Sequence, residues 1–162
     1  MKRRIVLVAV LVMALVGALS ASAADNSNIF ASYNKPGNVN LNVAAGWGGW
    51  LGVGAQAEFI IGKFDLGPVP FQWGLMAAGI VDIPYIEIGA GGMATLHMGL
   101  GVVPLDFYLG LGLGMDFYGG FYLGLAQTAG VSYKLSNSLT VMATDTYLAG
   151  AYLYGVGIQL KL

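Results

Sequence analysis

The chain has 162 residues, of which 57% are hydrophobic and 9% are charged, with a formal net charge of −1, one histidine and no cysteine. Soluble domains carry about 25% charged residues, so this chain would be poorly soluble unless most of its outer surface faced lipid or a partner. The absence of cysteine and the single histidine exclude disulfides, thiol catalysis, cysteine-anchored lipids and multi-histidine metal centres. We expect no cofactor and no metal.

The first 23 residues have the pattern of a signal peptide. Basic residues at 2–4 precede an apolar stretch at 5–19, and small residues follow at 21–23. A retained membrane anchor is the alternative, but the stretch is shorter than the ~20 residues that span a bilayer. Cleavage before Ala24 would leave four lysines against eight carboxylates, a net charge of −4, which disfavours nucleic acid as a partner.

A polar, turn-forming stretch follows the leader, with the sequence DNSNIFASYNKPGN at 25–38. We expect residues 24–38 to be a flexible periplasmic lead-in, although Ile29, Phe30 and Tyr33 could instead tuck into the mouth of a barrel. Residues 39–162 contain no further polar linker, so we predict one domain there.

The segment 105–116, LDFYLGLGLGMD, separates its residues by parity. Successive side chains of a strand point to opposite faces. One face therefore carries only large apolar residues, whereas the other carries two aspartates, a tyrosine and three glycines. A small and polar inner face with an apolar outer face is typical of a barrel whose solvent is lipid.

The same alternation predicts an all-β fold, an eight-stranded antiparallel up-and-down transmembrane β-barrel. The predicted strands are 38–46, 50–61, 70–80, 86–102, 105–116, 121–133, 139–147 and 152–162. Two places are irregular. Gly91 and Gly92 could form a hairpin turn, although the two halves would then be too short to cross a bilayer. Parity in the seventh strand turns Asp145 toward lipid, so we expect a bulge near Ala143 or a position at the membrane interface.

Seven of the polar residues on the inward parity are candidates for a pore lining: Gln56, Glu58, Glu87, His97, Asp106, Asp116 and Lys161. Because eight strands leave an interior just wide enough for side chains, a hydrogen-bonded, filled interior is the favoured interpretation. Seven aromatic residues are predicted to lie in a girdle at the membrane interfaces: Trp47, Trp50, Tyr85, Phe107, Phe121, Tyr147 and Tyr152.

The leader and the strand pattern together resemble the small eight-stranded bacterial outer-membrane barrels of the OmpA, OmpX and OmpW kind. The resemblance implies a location in the bacterial outer membrane, with outer-membrane lipids as partners and the barrel-assembly machinery as a partner during biogenesis. The last strand is similar to the signal read by that machinery, with Leu162 in place of the usual terminal aromatic residue. Every predicted connection is only a few residues long, which disfavours a loop-borne binding site.

The resulting function prediction is a structural outer-membrane barrel, or a narrow pore for small or apolar solutes, with no catalytic activity. One alternative is a lipid A-modifying enzyme, because some eight-stranded outer-membrane enzymes use histidine chemistry. That site would need His97 beside Ser132 and Glu87, but strand direction places His97 toward the periplasmic end. A second alternative, motivated by a mean hydropathy of +0.72, is a helical inner-membrane protein; the two-residue period opposes it.

Overall fold

The computed structural model describes residues 29–83, 86–101 and 103–162. Its strands are β1 (Val39–Trp47), β2 (Leu51–Leu66), β3 (Val69–Ile83), β4 (Glu87–Leu100), β5 (Leu105–Asp116), β6 (Tyr122–Lys134), β7 (Leu139–Leu148) and β8 (Ala151–Lys161). Each strand pairs antiparallel with the next, and β8 pairs with β1, which closes the barrel. The predicted all-β fold class is confirmed, and the helical alternative is wrong for the described residues.

Within the described residues, no helix is long and apolar enough to cross a bilayer.

The inner and outer faces follow the predicted parity. On β5 the apolar side chain of Leu113 is 73% exposed on the outside, whereas Asp106 and Tyr108 are buried inside. The register of β5 with both neighbours is continuous over its whole length. The outer face of β5 is therefore apolar, which suits contact with lipid rather than water.

The two irregular places of the sequence are both regular in the structure. Gly91 and Gly92 lie inside β4 and pair without interruption with β3 and β5, so the hairpin alternative is wrong. The register of β7 is also unbroken around Asp145, and the expected bulge near Ala143 is therefore wrong. The Asp145 side chain stays on the outer face, three residues before the end of β7.

A bulge does occur in β2, between Ile60 and Gly62. Beyond it, β2 and β3 continue as a longer hairpin than the sequence predicts, and Phe64 stacks on Phe71 with ring centroids 5.6 Å apart. The hairpin turns at Gly67, whose φ of +61° lies in the left-handed region that favours glycine.

The barrel has two ends that differ in their connections. At the terminus end, β1 begins and β8 finishes, beside the connections at 67–68, 101–104 and 135–138. At the turn end, the connections are 48–50, 84–86, 117–121 and 149–150. All of them are short, as the sequence predicts, and the interior is closed differently at each end.

Candidate functional site

A buried histidine between two carboxylates lies inside the terminus end. Nε2 of His97 is 2.7 Å from Oε1 of Glu58, and Nδ1 is 2.7 Å from Oδ1 of Asp106. The His97 side chain is 2% exposed, and both carboxylates are buried as well. A neutral imidazole carries only one N–H. Both short contacts can be hydrogen bonds to ionised carboxylates only if each ring nitrogen carries a proton. The geometry therefore favours an imidazolium between two carboxylates.

Neighbouring strands supply further donors to Glu58. The Thr95 hydroxyl of β4 donates to Oε1 at 2.5 Å, and the Asn40 amide of β1 donates to Oε2 at 3.2 Å. A buried ion group is tolerated only where its remaining lone pairs are satisfied. We call the group Glu58, His97 and Asp106 the buried triad; three different strands, β2, β4 and β5, position it.

The described part of the lead-in, residues 29–38, packs into the terminus end instead of extending away from it. The Ala31 N–H donates to the Gly99 carbonyl at 3.1 Å, and the Gly101 N–H donates to the Ile29 carbonyl at 2.7 Å. Phe30 is buried in an apolar cluster with Val69 and Met98. The expectation of a flexible segment is corrected for these residues, because backbone pairing and apolar burial fix their position.

Polar side chains of this segment reach the triad and the barrel wall. The Ser32 hydroxyl donates to the Asp106 carboxylate, and the Tyr33 hydroxyl hydrogen-bonds to the Ser132 hydroxyl. The Asn34 side-chain oxygen accepts a hydrogen bond from Asn40 at 3.2 Å. Tyr33 lies outside the strands, and burial raises the pKa of its hydroxyl, which therefore stays neutral. The segment thus closes the terminus end with specific contacts.

A second polar layer fills the middle of the barrel. Asn42 donates to the Gln56 oxygen at 3.1 Å, and the Gln56 amide donates to the Thr146 hydroxyl at 3.0 Å. Thr128 and Thr146 share a further hydrogen bond of 2.9 Å. The cavity beside Gln56 and Thr146 measures about 10 Å³, which is about the space that one water needs. This layer is therefore packed rather than open.

Apolar side chains of the β7–β8 turn close the turn end. Leu148 is 0% exposed and Leu153 is 1% exposed, both on the inner face. Glycines on the facing strands make room for them. A Cβ added to Gly91 would lie 2.9 Å from Cδ2 of Leu148, and one added to Gly54 would lie 2.7 Å from Cδ2 of Leu153. The glycine-rich inner wall therefore borders packed side chains.

The structure places the predicted inward residues in three regions. Glu58, His97 and Asp106 form the buried triad, and Gln56 belongs to the middle layer. Asp116 is buried at the turn end, where its carboxylate accepts a hydrogen bond from the Tyr118 N–H at 3.0 Å. Glu87 and Lys161 are half-buried at opposite ends of the barrel.

Most residues of the predicted aromatic girdle lie at the turn end. Trp47, Trp50 and Phe121 are exposed there, and Tyr147 and Tyr152 are half-exposed on the outer face. Phe107 lies at the terminus end, where it packs against the Phe30 cluster. Tyr85 lies outside the described residues.

The residues considered for catalysis do not form one site. Both ring nitrogens of His97 contact carboxylates, and the Ser132 hydroxyl contacts Tyr33 and the Asp106 carbonyl instead of the imidazole. Glu87 begins β4 at the turn end, whereas His97 lies near the other end of the same strand. Among the described residues, no cluster of three histidine or carboxylate side chains is arranged to hold a metal ion.

Ser32 and Asn34 take part in the site without being predicted. Both lie in a stretch whose composition is typical of a loop, so the residue pattern alone gave no inward face to them. The alternative that Ile29, Phe30 and Tyr33 tuck into the barrel mouth, raised by these large apolar residues in a polar stretch, carries the signal for this packing, because a fully solvated linker rarely contains adjacent large apolar residues.

No family model matches the sequence, and no curated protein does. A solved structure described as "De novo design of transmembrane beta-barrels" is similar in fold, with a TM-score of 0.57 and 16% sequence identity over 80% of this chain and 98% of that chain. At this identity the likeness concerns the fold alone. The fold resembles a transmembrane β-barrel, which indicates a membrane location.

Proposed function

We propose that this protein is a bacterial outer-membrane β-barrel with a closed lumen and a structural, non-catalytic role. The observation that carries the proposal is the occupied interior. The lead-in and the buried triad fill the terminus end, the Gln56 layer fills the middle, and Leu148 with Leu153 fills the turn end. Among residues 29–83, 86–101 and 103–162, these side chains leave no continuous polar passage of the kind that a pore needs.

The membrane location is supported by the outer face. Leu111, Leu113 and Leu125 are each at least 60% exposed in the isolated chain, and a water-facing surface of this kind would aggregate. The outer-membrane assignment rests additionally on the signal-peptide pattern of residues 1–23, which lie outside the described residues. Strands can cross lipid as a closed barrel, because closure leaves no edge strand with unpaired backbone groups.

The non-catalytic part of the proposal is supported by the state of His97. A general base must be free to accept a proton from a nucleophile, whereas both nitrogens of this imidazole contact carboxylates. The Ser32 hydroxyl contacts Asp106 rather than His97. The buried triad therefore has the contacts of a structural ion group.

Conductance in planar lipid bilayers tests the proposal. The full chain is refolded into detergent, and its folding is checked by heat-dependent migration in a gel. It is then added to a planar bilayer under conditions in which a general porin, as the positive control, conducts. We expect no unit conductance from the folded chain. Steady, reproducible single channels would overturn the closed lumen, and recovery of the expressed protein from the inner-membrane fraction would overturn the location.

A further inference from the structure

Two polar side chains interrupt the otherwise apolar outer face of the described strands. Between the two ends of the barrel, the outward residues are aliphatic, aromatic, alanine or glycine, except Gln127 on β6 and Asp145 on β7. Asp145 is paired with Ala129, and Gln127 with Tyr147. Gln127 and Asp145 are thus diagonal neighbours on adjacent strands, within the reach of long side chains.

A carboxylate on a lipid-facing surface needs partners. The Tyr152 side chain of β8 hydrogen-bonds to Asp145, but an ionised carboxylate has about four acceptor positions. Polar and ionisable residues within membrane spans are costly and often functional. Asp145 therefore has acceptor capacity that a donor arriving from the lipid side can use.

Exposed aromatic residues beside Asp145 indicate that it lies at the depth of lipid headgroups. Asp145 pairs with Tyr154, which pairs in turn with Trp47, and both aromatic residues are exposed on the outer face. Amphipathic rings prefer the membrane–water interface. Asp145 also lies only three residues before the end of β7, so a headgroup at that interface can reach the carboxylate.

An apolar groove leads away from Asp145. It has a volume of about 360 Å³ and is lined from the Asp145 end by Tyr154, Ala143, Ala129, Val131, Leu109 and Leu96. His97, Tyr108 and Thr144, which lie on the inner face, also belong to its lining. The small side chains of Ala129 and Ala143 leave it open. Its volume lies in the range of small-ligand sites, about 300–1,000 Å³.

The groove descends from the interface toward the opposite leaflet. Its Asp145 end is near the turn end of β7, whereas Leu96 at its other end is near the terminus end of β4. This diagonal follows from the tilt of the strands in a barrel. A polar head bound at Asp145 would therefore direct an attached apolar chain along the groove.

We propose that this groove binds one acyl chain of a lipid whose ammonium headgroup binds the Asp145 carboxylate, with Gln127 as a hydrogen-bond partner of the head. Charge complementarity selects this class: a primary ammonium brings a positive charge and three N–H donors, whereas a choline head lacks donors and a glycerol head lacks the charge. The inference rests on the proposal that the outer face meets lipid.

Native mass spectrometry of the full chain in neutral detergent tests the inference. The probes are lysophosphatidylethanolamine, lysophosphatidylcholine and lysophosphatidylglycerol with the same acyl chain. We expect one ethanolamine-headed lipid per barrel, retained about tenfold more tightly than the other two, as a charge-assisted hydrogen bond implies. Asp145→Asn should abolish this preference, and Ala143→Phe should reduce retention of all three lipids.

Two control variants separate the groove from general effects. Ala55→Phe adds the same ring to the outer face of β2, and Asp65→Asn removes a carboxylate from the protruding β2–β3 hairpin; neither should change retention. Each variant is first checked for heat-dependent migration, so that a folding failure is recognised as such.

Equal retention of the three headgroups, or a preference that survives Asp145→Asn, would overturn the inference. A dimer of the chain that is lost in both Asp145→Asn and Ala143→Phe would also overturn the inference, because the groove would then be an interface between two copies of the chain. Channels in planar bilayers with an intact ethanolamine preference would overturn the closed lumen alone and leave the lipid site standing.

Discussion

Oδ1 of Asp106 lies 2.7 Å from Nδ1 of His97 in the buried interior of the barrel, where two adjacent strands meet. The other oxygen of the same carboxylate accepts a hydrogen bond from Ser32 of the lead-in. One side chain thus joins the ion group of the barrel wall to the segment that closes the terminus end. Stability of the barrel and closure of its terminus end are therefore coupled.

Replacing the central imidazole tests whether its charge stabilises the barrel. In His97→Leu, Glu58 and Asp106 face an apolar group, and two buried carboxylates lose their shared positive partner. Breaking a buried ion pair from one side typically costs about 3–5 kcal/mol, so we expect a loss of that size in the free energy of unfolding, measured by urea titration in liposomes. Adding Glu58→Gln and Asp106→Asn should recover part of the loss; no recovery would mean that the imidazole contributes packing rather than charge.

A methyl group at Gly99 should displace the lead-in. A Cβ there would lie 2.2 Å from the Cα of Ser32 and 2.6 Å from the Ala31 carbonyl oxygen, both backbone atoms. In Gly99→Ala we expect several-fold faster chymotrypsin cleavage after Phe30 or Tyr33. Gly92→Ala on the outer face of the same strand is the matched control, since a Cβ there has no neighbour within 4 Å. Equal cleavage of the two variants would contradict the packed lead-in.

The turn-end closure depends on Leu148. Leu148→Ala removes a fully buried side chain from the glycine-lined mouth, and such truncations cost about 2–5 kcal/mol because a cavity remains. Leu113→Ala, at a position that is 73% exposed on the outer face, creates no cavity and should cost less. The free energies of unfolding of both variants in the same liposomes decide the matter, and equal losses would argue against a packed turn end.

A charge at the middle of the lipid-facing surface should oppose insertion. Leu111 is 62% exposed near the centre of β5. Lysine near the bilayer midplane costs about 2–4 kcal/mol in outer-membrane barrels, so Leu111→Lys should lower the free energy of unfolding in liposomes by that amount. Asn137→Lys in the exposed β6–β7 turn should have little effect. Indistinguishable stabilities would mean that water, not lipid, covers β5.

Parity predicts the number of strands and the face on which each side chain lies, because the side-chain period of a strand is fixed by its backbone. It therefore also predicts the inward set Gln56, Glu58, His97 and Asp106. Parity does not say which residues of different strands come into contact. The meeting of Glu58 and His97 is therefore a product of barrel closure and register. The apolar pair Ile29 and Phe30 indicates that the lead-in packs on the barrel but not where it packs. The β2 bulge at Ile60 depends on tertiary contacts and has no local signature.

The role of the inward glycines is likewise predicted only in part by the sequence. Parity places Gly54 and Gly91 on the inner face, but the pattern fits a void, a tight bend and a packed wall equally well. The packing of the structure decides between them, since Leu148 and Leu153 occupy the space that the missing side chains leave. Asp145 was correctly placed on the outer face by parity, and its unbroken register shows that no bulge removes it from there.

The closed lumen is tested most directly by cysteine accessibility, because the chain has no cysteine of its own. Ala44→Cys places a thiol on the inner face of β1, where the native side chain is 5% exposed, and Asn137→Cys places one in an exposed turn. Both variants are folded into nanodiscs and treated with a hydrophilic maleimide. A closed barrel predicts rapid labelling in Asn137→Cys and none in Ala44→Cys until the barrel is unfolded. Labelling of both folded variants at similar rates would contradict the closed lumen.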